Sequence, residues 1–372
     1  MRNGFKILDT DAHMMEPEWM WERYTEDAYK SQAPKMGKAP GSGRRAYIVE
    51  GESFVREQGK YPMAAPAFLK SVTKAMERFS RARDTGFSAK SRLQDMDEQG
   101  VDVQVCYPTA AGQMLGREFR DPQLLAACCR AYNNWAAEYA AAAPDRIKWA
   151  ALLPMQDVEE SIKEAHRADK IGCVSYYVRP NPVRDRTIWA DEYIPLWSEV
   201  EQIGKPISTH ESASSSVPSF GDRMDTHVSG HILSHPFEAM AAMAGLIWFG
   251  VFEKLPNLKV IHVEADGGWV PYWLQRMEQH WKYSGNAEHE YLTKSPTEYF
   301  KRNICVAFRG DEPTMKAAVE LVGDNNFTWD TDYPHPDGTF PWGVEDMFKQ
   351  PISAESKRKL LWDNGARMFN LN

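Results

Sequence analysis

Residues 9–16 read DTDAHMME, so Asp9, Asp11, His13 and Glu16 crowd into one short stretch directly after the apolar pair Ile7-Leu8. In an extended segment Asp9, Asp11 and His13 share one face, because strand side chains alternate. Polar groups on one face of a buried strand are costly unless something pairs with them, and a divalent metal ion is such a partner. A surface loop with an Asp helix cap is the other reading of the same residues. Three further runs carry the same residue types at their ends: PISTH in His210, LKVIHVE in His262 and Glu264, and NFTWDTD in Asp332, with His335 close behind. His, Asp and Glu are the ligands of catalytic metal sites, which keep one position open. A metal ion lowers the pKa of the water it binds toward about 7. Asp332 would accept that proton, with Glu264 as a ligand or second acid–base group. Arg179, at the end of GCVSYYVR, would pair with a substrate carboxylate or close a salt bridge at the rim.

The runs that carry these residues read as strands. They are Phe5–Leu8, 101–107, 147–155, 172–179, 206–210, 258–264, 303–308 and 326–332. Helical stretches separate them. KSRLQDMDEQG stops at Gly100, and an Ala-rich helix near 122–143 is closed by Pro144. Strands separated by helices predict a parallel sheet, and eight such units predict a (β/α)8 TIM barrel spanning 1–372, of α/β class. In that fold the active site lies at the C-terminal strand ends, where the ligand-type residues fall. Residues 31–90 are too long for one crossover helix and are expected to form an insertion over the barrel mouth, with a helix near 64–80. Residues 211–235 read as a second mouth loop. His231 and His235 stand ahead of a strongly apolar helix, and a helix-start or packing role is expected for them.

Composition narrows the partners. The chain has 372 residues, 43% hydrophobic and 26% charged, with a formal net charge of -8. No basic block stands out, so nucleic acid is not an expected partner. There is no charged-then-apolar leader and no run of about 18 apolar residues, so neither export nor membrane spanning is expected. The 5 cysteines include no C-x-x-C pair and suggest reduced, buried thiols in a cytoplasmic protein.

DTDAHMMEP, GWVPYWLQRME and DTDYPHPDG, together with LQDMDEQGVDVQVCYPT and FEKLPNLKVIHVEADGGW, resemble the amidohydrolase superfamily. The likeness is to its amidohydrolase-related branch, which contains aminocarboxymuconate-semialdehyde decarboxylase and the resorcylate-type decarboxylases. The resemblance implies a first-strand metal pair at Asp11 and His13, with Asp11 in place of a His. It implies a fifth-strand metal His at His210 and an eighth-strand metal Asp at Asp332. Glu264 falls where the decarboxylases have a His. The fourth strand offers no Lys for a bridging carbamate. The added carboxylates suit manganese or iron better than zinc. They leave room for one or two ions, the second ligated by His262 or His335. The implied activity is metal-dependent hydrolysis or non-oxidative decarboxylation of a small carboxylate-bearing or aromatic substrate. Two alternatives stay open: a dinuclear iron or manganese oxygenase on this fold, and a non-catalytic subunit of a related enzyme. The expected assembly is a homodimer or a pairing with a homologous chain.

Overall fold

The computed structural model describes residues 1–40, 43, 45–54, 66–212, 219–224, 226–284, 287 and 290–371, and the side chains of all but 66–69 and 227 among them. Eight strands run in sequence order around one sheet: β1 Leu8–Met14, β2 Val103–Pro108, β3 Ile147–Leu152, β4 Ser175–Val178, β5 Ile207–Thr209, β6 Val260–His262, β7 Ile304–Arg309 and β8 Phe327–Asp330. Every adjacent pair is parallel. The seam between β8 and β1 is closed by Thr10 Oγ1 donating to the Trp329 carbonyl at 3.0 Å and Asp332 N donating to the Asp11 carbonyl at 2.9 Å. The fold is the expected (β/α)8 barrel. Its strands are buried on both faces, which is why VQVCYP and ICVAF read as near-continuous apolar runs.

The first strand differs from expectation. It begins at Leu8 rather than ending there, so DTDAHM lies inside the barrel wall with every residue buried. The first of its carboxylates, Asp9, is satisfied internally. Asp9 accepts from Thr331 N at 3.0 Å, from Thr331 Oγ1, and from Gln104 Nε2 at 3.0 Å. Between Asp9 and Ala12 the register against β2 shifts. Glu16 accepts from the backbone N–H groups of Thr109, Ala110 and Ala111 and ties the end of β1 to the start of the short helix Ala110–Met114 that follows β2.

The helix ending at Gly100 is Ala89–Gln99, and Gly100 takes φ 85, which glycine adopts without strain. From it Arg92, 2% exposed, reaches into the barrel wall. It donates to the His13 carbonyl, to Gln104 Oε1 at 2.8 Å and to the Tyr139 hydroxyl at 3.1 Å. Arg92→Ala strands these buried acceptors and is expected to cost about 3 kcal/mol or more. Denaturant unfolding of the variant checks this; a loss under about 1 kcal/mol would mean that water replaces the guanidinium.

The 31–90 insertion holds more structure than its sequence suggests. Lys35–Lys38, Arg45–Val49 and Glu52–Ser53 form a small antiparallel sheet. A helix at Pro66–Ala75 continues through a 3-10 turn, Met76–Phe79, into Ser80–Asp84; residues 64–65 of the expected helix lie outside the described residues. The second mouth segment is corrected at its far end. The helix His227–Trp248 starts inside the expected loop, capped by reciprocal bonds between Thr226 and Ser229. His231 and His235 therefore sit within this helix, not ahead of it; residues 213–218 and 225 lie outside the described residues. All five cysteines are buried and free of disulfides. Among the described residues no helix is long and apolar enough to cross a membrane.

Candidate metal centre

His13 lies near the end of β1, and its Nδ1 is 3.0 Å from the Pro108 carbonyl. His210 follows β5, and its Nδ1 meets the Glu211 carbonyl. A carbonyl only accepts, so each Nδ1 carries a hydrogen, and in a neutral ring the lone pair is then left at Nε2. Those two Nε2 atoms lie 3.0 Å apart. Bare lone pairs at that distance repel unless a proton or a metal ion sits between them. Burial, helped by His335 and His210, holds His13 well below the usual imidazole range, which disfavours the proton.

Asp11 supplies negative charge beside this pair. Its carboxylate lies 3.4 Å from His13 Nε2 and 3.8 Å from His210 Nε2. Both its oxygens are buried and, among the described residues, have no hydrogen-bond partner. Burial above all, and then the charges of Asp330, Asp332, Glu264 and Asp9, push its pKa well up. A buried carboxylate left this way is costly unless a cation neutralises it. Glu264 Oε2 stands 3.0 Å from His210 Nε2, and Asp332 Oδ1 stands 3.3 Å from His13 Nε2. One ligand atom from each of Asp11, His13, His210 and Glu264 falls within 4.8 Å of the others. Two imidazole nitrogens with carboxylate oxygens fit a divalent first-row ion of the manganese, iron or zinc type.

Backbone strain marks the same place. Glu264 and Asp332 each lie two residues beyond a strand end and take φ of 48° and 52°. Non-glycine residues hold that conformation at a cost of about 1–3 kcal/mol, and such strain gathers at functional sites. His335 braces Asp332: its Nδ1 lies 2.7 Å from Asp332 Oδ1, an ion pair off the line of a hydrogen bond. Its Nε2 is 3.0 Å from Thr109 Oγ1, and its ring stacks on His13 at 3.9 Å. Burial raises the Asp332 carboxyl to about 6, with His335 pulling the other way. Burial lowers His335, but Asp332 outweighs it and takes the imidazole to about 9. Arg78, from the insertion, donates to the carbonyls of Pro336 and Gly338 at 2.8 Å each and of His335 at 3.2 Å, clamping the loop after β8.

The structure thus brings Asp11, His13, His210, Glu264, Asp332 and His335 to one point at the barrel mouth. It does not bring His262 there. That ring is fully buried, with Nδ1 2.6 Å from Thr209 Oγ1, and burial pulls its pKa to about 3. Among the described residues His262 belongs to no group of metal-capable atoms. Arg179 makes the rim salt bridge, 2.7 Å from Glu211 Oε1, and bonds Asn181 Oδ1 at 2.8 Å. Its Nε and Nη1 are buried and, among the described residues, have no partner. Sequence reasoning missed His231 and His235: their Nε2 atoms stand 3.3 and 3.4 Å from the Glu264 carboxylate. The His-x-x-x-His spacing, which puts two rings on one helix face, was the available signal.

With this geometry in hand, likeness to known proteins is informative. The amidohydrolase family model matches residues 8–371. The chain belongs to the amidohydrolase family. Among relatives of this amidohydrolase, 2-amino-3-carboxymuconate-6-semialdehyde decarboxylase of Dictyostelium discoideum is 27% identical over 283 residues, 76% of each chain. Gamma-resorcylate decarboxylase of Polaromonas sp. strain JS666 is 26% identical over 76% of this amidohydrolase and 87% of the relative. The structure of 5-carboxyvanillate decarboxylase from Novosphingobium aromaticivorans, in complex with manganese and 4-hydroxy-3-methoxy-5-nitrobenzoic acid, covers 100% of this chain and 97% of its own at a TM-score of 0.72 and 20% identity. That likeness establishes the shared barrel.

Proposed function

We propose that this amidohydrolase is a metal-dependent, non-oxidative decarboxylase of small aromatic carboxylates. Asp11, His13, His210, Glu264 and Asp332 would hold the metal. The observation that carries the reading is the approach of the His13 and His210 Nε2 atoms to 3.0 Å beside the buried Asp11 carboxylate, whose oxygens have no hydrogen-bond partner among the described residues. The decarboxylase relatives support the lyase over the broader hydrolase expectation.

When bound, a divalent ion polarises and orients substrate oxygen atoms. The side chains do the rest. Decarboxylation breaks the bond from ring carbon to carboxylate, releases carbon dioxide and leaves the electron pair on that carbon, which must take a proton. Asp332 is the group to supply it, in place of the water-activating role expected from sequence. His335, whose Nδ1 lies 2.7 Å from Asp332 Oδ1, stands next to it as the group that would return the proton. His13 stays neutral and keeps its lone pair inward. Arg179 keeps two donors, Nε and Nη1, for a carboxylate, while Glu211 fixes the guanidinium.

The test is carbon dioxide release from a panel of hydroxybenzoates by protein loaded with Mn(II), with and without dioxygen. Turnover at equal rates in both is expected. Ester hydrolysis or oxygen uptake in place of carbon dioxide release would overturn the reading. Arg179→Met should raise KM by about 10–100-fold with a smaller change in kcat, the loss of one charge-assisted pair. An unchanged KM would leave Arg179 as a rim salt bridge only.

A further inference from the structure

We infer that this centre is built for two divalent ions, the second held by His231 and His235 and bridged to the first through Glu264. The inference deepens the proposed function and rests on the first metal group being one. His231 and His235 are four residues apart on the helix His227–Trp248, so their rings share one face. The rings stack with centroids 3.9 Å apart and 22° between planes. Stacked on one helix face, the two rings can offer their Nε2 atoms to one cation.

The Glu264 carboxylate lies between the two groups. Its Oε2 is 3.0 Å from His210 Nε2 and 3.4 Å from His235 Nε2, and its Oε1 is 3.3 Å from His231 Nε2. A carboxylate that serves two ions presents an oxygen to each, and paired catalytic ions commonly lie about 3.5–4 Å apart. One ligand atom from each of His231, His235 and Glu264 falls within 4.8 Å of the others. Asp337 extends the group from the clamped loop after β8, with Oδ2 3.5 Å from His231 Nε2. Behind the ligands, Ser234 Oγ is 3.0 Å from His235 Nδ1 and Glu211 Oε2 is 3.8 Å away, the outer contacts that orient a ligating ring. Glu264 is held for this role by its left-handed backbone, φ 48°. The mixed imidazole and carboxylate donors suit Mn(II) or Fe(II).

The experiment is a Mn(II) titration of the full chain, read as ions per chain by plasma mass spectrometry after gel filtration and as exchange coupling by electron paramagnetic resonance. Wild type is expected to hold two ions with a coupled signal. The double variant H231A/H235A is expected to hold one, uncoupled, with the far-ultraviolet dichroism of wild type. One ion in saturated wild type, or two in the double variant, would overturn the inference and leave the proposed function standing. No bound ion in wild type would overturn both. Should the double variant fail to fold, His231→Gln alone is expected to weaken the second ion at least tenfold, and unchanged affinity there would overturn the inference.

Discussion

Asp332→Asn is expected to lower kcat for decarboxylation by about a thousandfold, within the range that general acid–base groups contribute, and to leave the barrel folded. Asparagine keeps the size of the side chain and is among the few residues that tolerate φ near 52°, so the backbone after β8 can stay as it is. What changes is chemistry. The amide cannot deliver the ring proton, and it removes the anion that lifts His335 to about 9. The His335 imidazole should then lose its proton at a lower pH than in wild type. Burial, which opposes the charged ring, would no longer be outweighed. Steady-state rates, near-ultraviolet dichroism and an NMR titration of His335 check the three parts. A variant within threefold of wild-type kcat would remove Asp332 from the proton path.

Asp11→Asn should separate stability from function. The metal-free wild type carries a buried carboxylate with two unpartnered oxygens, faced by Asp330, Asp332, Glu264 and Asp9. Whether it keeps its charge against that repulsion or takes up a proton on folding, the wild-type carboxyl costs stability that a neutral amide does not. The metal-free variant is therefore expected to unfold at a higher temperature than metal-free wild type. The order should reverse once Mn(II) is added. A ligand present at 100 times its Kd stabilises the folded state by about 2.7 kcal/mol, and the variant should forgo most of that gain. Its Mn(II) affinity is expected to fall at least 100-fold, since even outer contacts of metal ligands are worth 10–100-fold. Calorimetric scans with and without Mn(II) read both effects. Equal Mn(II) stabilisation in the two proteins would show that Asp11 is no ligand.

The barrel was legible because parallel strands buried on both faces are written as apolar runs, and because ligand-type residues cluster where those runs end. The alternation in DTDAHM placed Asp11 and His13 together, though it misplaced the strand boundary. Local polarity cannot reveal that Thr331, more than 300 residues away, satisfies Asp9. His231 and His235 were passed over for a related reason. The helix that carries them is apolar along most of its length, so its polar first turns resembled the end of a loop. That their rings face Glu264 depends on where this helix is placed in the folded chain, which no local pattern encodes. The short sheet of the insertion escaped because strands of two to five residues carry too few positions for a period to show.

Arg78 grips the carbonyls of His335, Pro336 and Gly338 from within the insertion. The insertion is thus fastened to the peptide that carries His335 and Asp337. The two cannot vary independently. Grafting a relative's insertion onto this barrel to change its substrate range would also loosen the loop behind the acid, unless an arginine reaches the same carbonyls. Tolerance to such chimeras should track that one guanidinium more closely than the length or sequence of the graft.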